Sequence, residues 1–449
     1  IDAALEQAKA SLALLLNSKG YTHARVDLRL AWVDSSHVAV KLEASPGAVC
    51  YFGEVIVHGA NQDVIPLIKK TVSARPGMRF EPPILADSQN NMRLLNLFKR
   101  IRLDVLDAAA DTLDLVVEVL MKEPRRIETA LRYWTDEQLD GSVLWTHRNL
   151  FRRGRGGSVL ASASAFRQKL EFSAWWPAIL LKRSWATSSV GIENEIEDSY
   201  ELTSFGGSIG LIYNFSIQSK FRVAVVFSDI DITKKTPDAD EIMSQDGTLN
   251  SLLVRWERNA ANDPVVPTRG WHTFVDLEWA PDAFTNDYHF ALISPTGIAY
   301  VPLSRSHRYV WATRVTLGFA GPLGQSVDLL PNKRFYSGGA TSMRGFNRRE
   351  LGPRDSNGAP LGGEAKVEGS MELRFPLFWK FRGTWFMDTG QVWPAMEDIL
   401  LDELEVASGL GLWIDTLIGP LRGNLAYCLT YSDNVQPRWV FHFSIGPSF

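Results

Sequence analysis

Four side chains in the second half of the chain could act together: Arg344, within Arg344-Gly345-Phe346, and the carboxylates Glu368, Glu372 and Asp388. A guanidinium offers a planar fork of donors that matches a carboxylate in two places, and it keeps its charge when partly desolvated. That chemistry is a charged latch rather than the making or breaking of bonds. A carboxylate pair can also serve as acid and base. With an arginine at hand, mutual neutralisation is the simpler account, and no catalytic residue is expected.

The elements that would position these groups follow from the pattern around them. From Glu364 the chain alternates strictly, with Lys366, Glu368, Ser370, Glu372 and Arg374 on one face and Ala365, Val367, Gly369, Met371 and Leu373 on the other. Period-two alternation is a strand between two environments. After the turn at Pro376-Leu377-Phe378-Trp379 it resumes, placing Arg382, Thr384, Phe386 and Asp388 together. A charge-bearing face makes sense as the inside of a closed barrel whose apolar face meets lipid. Arg344, in the Gly-rich loop before Glu364, could then reach down to the carboxylates. The expectation is a loop tucked into a water-filled lumen.

Other chemistry is absent. Gly206-Gly207-Ser208-Ile209-Gly210 fits the nucleophile-elbow pattern, but strand-like Leu211-Ile212-Tyr213-Asn214-Phe215 follows where a helix is needed. The eight histidines show no metal-ligand spacing, and there is no phosphate-binding or dinucleotide fingerprint. No cofactor or metal is expected. The 47 basic residues balance 51 acidic ones, so the composition offers no broad attraction to nucleic acid. The Arg-Gly turn near Gly154-Arg155-Gly156 lacks the repeats of an RNA-binding segment. No apolar run approaches the ~20 residues of a membrane helix, yet barrels escape that criterion because only alternate residues face lipid. Fifteen tryptophans and 34 glycines suit aromatic girdles and tight turns. Cys50 and Cys428 fall in different predicted domains, and no disulfide is expected.

Taken in order, residues 1–19 read as a helix, followed by strands at 24–33 and 37–44. A complete βααββ unit follows: a strand at 51–57, helices at 63–73 and 83–97, and strands at 100–106 and 112–121. From Ile127 onward alternating segments repeat without a long helix, enough at ~10 residues per strand for about sixteen strands. The first is expected at Ile127 to Trp134, the second at Gly141 to His147.

Arg344-Gly345-Phe346 together with Phe386-Met387-Asp388-Thr389-Gly390 resembles the loop-six and strand-thirteen motifs of the POTRA-bearing outer-membrane assembly barrels, most nearly the TamA branch. Phe335 to Gly339, Gly409 to Trp413 and the turn Arg148-Asn149-Leu150-Phe151 are similar too. The resemblance implies a mainly β chain: a sixteen-stranded antiparallel transmembrane β-barrel over 125–449, preceded by α+β POTRA domains. Residues 1–48 would be the back half of a POTRA domain cut by a processed or truncated start, and 49–124 a complete one. The latch would comprise Arg344, Gly345, Phe346, Glu372, Asp388 and Gly390.

The resemblance also implies a function. The barrel would insert or export β-rich outer-membrane proteins such as autotransporters, with a TamB-like inner-membrane-anchored partner, unfolded clients and the lipid bilayer as its contacts. It would be a monomeric barrel in a Gram-negative outer membrane, with its POTRA domains in the periplasm. Its exit is expected at a weak lateral seam between the first strand (Ile127, Ala130, Trp134) and the last (Phe443, Gly446, Pro447, Phe449). Proline lacks a ladder N–H and glycine weakens a strand interior, so Gly446 and Pro447 should pair poorly. A BamA-like insertase, a two-partner-secretion exporter, lipid transport with a TamB-like partner and a passive porin remain alternatives.

Overall fold

The computed structural model describes residues 2–32, 38–235, 246–324, 326, 328–416, 419–430 and 438–445. They form two compact units, one comprising Ile1–Arg125, His147–Gly156 and Trp176–Trp185, the other Arg126–Thr146, Gly157–Trp175 and Ala186–Phe449.

The first unit opens with α1 (Asp2–Ser18) and the hairpin β1 (Arg25–Trp32) and β2 (Val38–Ser45). There follow β3 (Tyr51–His58), α2 (Ile65–Thr71), α3 (Pro82–Leu94), β4 (Phe98–Ala109) and β5 (Thr112–Met121). Both helices carry proline in the first turn, where a missing N–H costs nothing. β5 lies between β3, parallel to it, and β4, antiparallel. Phe52, Leu113, Leu115 and Val117 from the sheet pack on Val64, Ile68 and Met92 from the helical side. Sequence periodicity did not show that two barrel turns belong to this unit. Ala178 joins its apolar core, and Asn149 Nδ2 donates to Asp63 Oδ2 at 2.9 Å. Gly154 has φ +73°, and a Cβ there would lie 2.5 Å from Leu67. These hydrogen bonds hold the Asp63 carboxyl below its ordinary range, the Asn149 amide first.

The second unit is a closed antiparallel barrel of sixteen strands. Its first half consists of β6 (Arg125–Trp134), β7 (Gln138–His147), β8 (Gly156–Ala163), β9 (Arg167–Pro177), β10 (Ser184–Ile196), β11 (Tyr200–Asn214), β12 (Ser219–Lys234) and β13 (Gly247–Asn259). The second half consists of β14 (Gly270–Ala280), β15 (Phe290–Pro302), β16 (Val310–Pro322), β17 (Ala365–Pro376), β18 (Phe381–Trp393), β19 (Glu405–Thr416), β20 (Gly419–Cys428) and β21 (Trp439–Ile445). Closure removes the sheet edges that lipid could not satisfy.

The faces are inverted relative to a soluble sheet. On β17, Glu368, Ser370, Glu372 and Arg374 are buried, while Val367, Met371 and Leu373 stand partly exposed between them. Trp385, Leu410, Leu412, Leu425 and Phe441 are exposed on the outside. The Gly206-to-Gly210 pattern sits within β11, with no turn into a helix.

The lumen departs from the water-filled expectation. At the rim shared with the long β16–β17 connection, Tyr200, Leu202, Ile232, Leu249 and Phe290 point inward and pack on Leu329 and Leu330 of that connection. Alternation alone does not reveal such a patch, because these inward residues break the polar-inside pattern where a loop covers them. A polar cavity of about 770 Å³, lined in part by Arg167, Glu171, Glu193 and Arg222, lies alongside.

Candidate functional site

The β16–β17 connection runs as an internal loop and brings Arg344 onto β17 and β18. Its Nε donates to Asp388 Oδ2 at 2.7 Å and its Nη2 to Asp388 Oδ1 at 2.7 Å, the two-pronged geometry. Nη1 donates to Glu372 Oε1 at 2.6 Å, and Nη2 also reaches Ser370 Oγ at 3.1 Å. The backbone N–H of Arg344 adds a bond to Asp388 Oδ2 at 3.2 Å. The guanidinium lies 3.6 Å from the Phe386 ring centroid, so one face is stacked while the edge is bonded.

Asp388 is 0% exposed and Glu372 1%, so neither carboxylate has water to fall back on. Burial of that kind is tolerated only when charges are paired and hydrogen-bonded. Glu372 is shared further: Arg374 Nε donates to its Oε2 at 2.9 Å.

The flanking residues explain the close fit. A Cβ on Gly345 would lie 2.4 Å from Ala407 Cβ, and one on Gly390 2.7 Å from the Val367 carbonyl oxygen. Phe346 is fully buried and clusters with Met343, Leu351 and Cys428.

The same loop is anchored elsewhere. Arg348 makes a two-pronged pair with Glu197, at 2.6 and 2.8 Å, and Arg349 reaches Glu197 at 3.0 Å. Glu350 pairs with Arg438, and the Ala340 N–H donates to Asp136 Oδ2 at 2.7 Å.

The pairing of first and last strands is short. β20 and β21 share seven residue pairs, whereas β21 and β6 share two among the described residues, Ser444 with Trp134 and Ile445 with Tyr133. Two further bonds join Thr135 and Phe443: the Thr135 N–H donates to the Phe443 carbonyl at 3.0 Å, and the Phe443 N–H to Thr135 Oγ1 at 3.2 Å. Ala130 and Phe443 therefore do not face each other: the register sets Phe443 beside Thr135, several residues further along β6. Ile127 and Ala130 lie on β6 with exposed side chains, Ile127 at 68%. Gly446, Pro447 and Phe449 lie outside the described residues.

The Omp85 superfamily domain matches residues 149–449, most of the chain. The chain belongs to the Omp85 superfamily. Among curated relatives, the outer membrane protein assembly factor BamA of Neisseria meningitidis serogroup B is 23% identical over 97% of this chain and 61% of its own length. BamA of Nitratidesulfovibrio vulgaris is also 23% identical, over 96% of this chain and 55% of its own. The chain thus spans somewhat over half the length of these relatives. Among solved structures, BamA from Haemophilus ducreyi lacking POTRA domains 1-3 superposes with a TM-score of 0.77 at 16% identity, covering 99% of this chain and 93% of that one. CdiB from Acinetobacter baumannii gives 0.62 at 14% identity, covering 97% and 79%. The shared fold and family place this Omp85 barrel in a Gram-negative outer membrane.

Some residues of the site had no counterpart in the sequence reading. Phe386 shares a strand face with Asp388, so its place beneath a neighbouring cation could have been inferred. Asp136, Glu197 and His442 could not, because nothing local to them points toward the loop.

Proposed function

We propose that this Omp85 barrel assembles or exports β-rich outer-membrane proteins through a lateral seam between β6 and β21. One observation carries the proposal: among the described residues, two pairs join β21 to β6, against seven between β20 and β21. In lipid, each unsatisfied backbone group costs several kcal/mol. A seam can therefore part only where few bonds are lost and an incoming strand replaces them. The assembly-factor names of the curated relatives support the same reading. In it, Arg344, Glu372 and Asp388 hold the loop while the seam works, and no catalytic chemistry is assigned.

The finer reading is a TamA-like member with autotransporter clients, a TamB-like partner and POTRA domains at residues 1–48 and 49–124 in the periplasm. It rests on the Arg344-to-Phe346 and Phe386-to-Gly390 motifs and on the βααββ order of β3 to β5. BamA-like insertion and two-partner secretion are the neighbouring readings within the family.

A disulfide tests the seam. Trp134→Cys with Ser444→Cys, facing each other in the register, would be made with Cys50→Ser and Cys428→Ala. The expected result is loss of client assembly in the oxidised protein and its return on reduction. Full assembly by the crosslinked protein would overturn the lateral route and favour passage through the lumen, or lipid transport.

A further inference from the structure

Ala340 and Arg344 sit close together in the internal loop, and their backbones are bonded to opposite sides of the seam. On the β6 side, Asp136 in the β6–β7 turn accepts the Ala340 N–H at 2.7 Å. Its other oxygen accepts the N–H of Glu137 at 3.1 Å, which holds the carboxylate in place. Gly339 makes room for it. Its φ is +112°, and a Cβ there would stand 2.4 Å from Asp136 Oδ2. On the β21 side, His442 is 2% exposed, and its Nε2 lies 2.9 Å from the Arg344 carbonyl oxygen. A carbonyl oxygen can only accept, so Nε2 carries the hydrogen.

We infer that this segment is a clasp across the seam, with Asp136 and His442 as the positioning residues that hold the two seam strands through the loop. The inference rests on the lateral-seam reading above. Among the described residues β6 and β21 pair directly at two positions, and the internal bridge adds a second connection between them. The bridge is also short. A chain extends at most ~3.6 Å per residue, so the stretch from Ala340 to Arg344 spans no more than about 14 Å. It is folded back, with the Gly339 N–H on the Met343 carbonyl at 3.3 Å and the Phe346 N–H on the same oxygen at 3.1 Å, so extending it costs these bonds first. Parting the seam strands beyond its reach breaks the bond to Asp136 or the bond to His442.

The clasp gives the Arg344 latch a further consequence. The arginine side chain is fixed to β17 and β18, while its own carbonyl is held by β21. Seam position is thereby tied to the wall of the barrel rather than to the seam strands alone. A client that separates β6 from β21 must displace the clasp, and re-docking of the loop draws the strands back.

The test measures seam separation directly and needs no client. Nitroxide labels at Leu131→Cys and Phe441→Cys, both exposed on the outside of their strands, report the distance by pulsed electron resonance in nanodiscs. Cys50→Ser and Cys428→Ala remove the native thiols. Asp136→Ala deletes the acceptor, and Asp136→Asn retains one. His442→Phe deletes the donor and fills its space. Loss of a hydrogen bond to a charged group should raise the population at long distance about tenfold. The expected result is that rise in Asp136→Ala and His442→Phe, with Asp136→Asn near the unsubstituted protein.

An unchanged distance distribution in a folded Asp136→Ala barrel overturns the clasp, as does an equal rise in Asp136→Asn. Folding is confirmed by heat-dependent gel migration, and the turn position of Asp136 leaves the strands intact if His442→Phe fails to fold. The result is independent of the disulfide test, which reads client assembly: either can fail while the other stands.

Discussion

Arg344→Ala is the sharpest perturbation available in this barrel. The side chain contributes four hydrogen bonds, to Asp388, Glu372 and Ser370, and covers the Phe386 ring. Its removal leaves two carboxylates in the barrel wall, one 0% and the other 1% exposed, without their shared cation. Removing one partner of a buried pair typically costs about 3–5 kcal/mol. Undocking the loop lets water reach those carboxylates, so the cost falls on the docked state. At ~1.4 kcal/mol per factor of ten, the docked fraction relative to the undocked one falls roughly a hundred- to several-thousand-fold. The remaining anchors at Glu197 and Asp136 lower the starting population of undocked loop but leave this ratio unchanged.

Trypsin reads the effect in purified protein, because the half-buried Arg348 and Arg349, both held by Glu197, become good substrates only when the loop leaves the lumen. Where opening and closing are fast relative to cleavage, the cutting rate tracks the open population. Cleavage at Arg348 and Arg349 should therefore accelerate at least about a hundredfold by the same estimate. Arg344→Lys should fall between the two, since a point charge cannot reproduce the fork. Asp388→Asn with Glu372→Gln, added to Arg344→Ala, should recover part of the loss by removing the stranded charges. Unaltered cleavage in a folded Arg344→Ala barrel would refute the reasoning.

Two further predictions concern local fit and pH. Gly345→Ala places a methyl 2.4 Å from Ala407 Cβ, an overpacking worth about 1–3 kcal/mol. It should lower the temperature of heat-dependent gel migration, and Ala407→Gly in the same protein should restore it. In the first unit, Asp63 has a depressed pKa, so its bonds to Asn149 and the Arg153 N–H are full at neutral pH. They should fade as pH falls below the ordinary aspartate value of about 4 and through the lower folded value. Hydrogen exchange in the 149–156 turn should then rise more steeply with acid than in Asp63→Asn, and parallel curves would count against the assignment.

Much of the barrel was legible because its signal is local. The alternation from Glu364 to Arg374 assigns each residue to lumen or lipid, and the β17 burial pattern follows it from Val367 to Arg374, departing only at Ala365 and Lys366 beside the loop. Glu372 and Asp388 share polar strand faces with other charged residues such as Glu368, and it was the likeness of Arg344-to-Phe346 and Phe386-to-Gly390 to a known motif pair that singled them out. The rest of the site is set by closure of the barrel. Ala340 and Asp136 are 204 positions apart, and Arg348 and Glu197 are 151 apart. Neither separation leaves a periodic trace. The seam register failed to show for the same reason: alternation says which face Phe443 occupies but not which residue of β6 it meets. The apolar patch around Leu202 and Phe290 was hidden because inward apolar residues look like errors in a polar-inside pattern until a loop is seen to cover them.

The enclosed loop also bears on how this protein itself is made. Its anchors reach β17, β18, β21 and the β6–β7 and β10–β11 turns, so they belong to both the early and the late parts of the barrel. Gly345 against Ala407 and Phe346 against Cys428 leave little clearance around the seated loop. Seating is therefore easiest while the last strand is still unpaired, and the cylinder then closes around the loop. Contacts this distant in sequence make folding slow, and the loop acts as a mandrel on which the last strand is laid. A chain whose loop seats poorly would close its barrel more slowly, making the loop a pacing element in the biogenesis of the barrel before it serves any client.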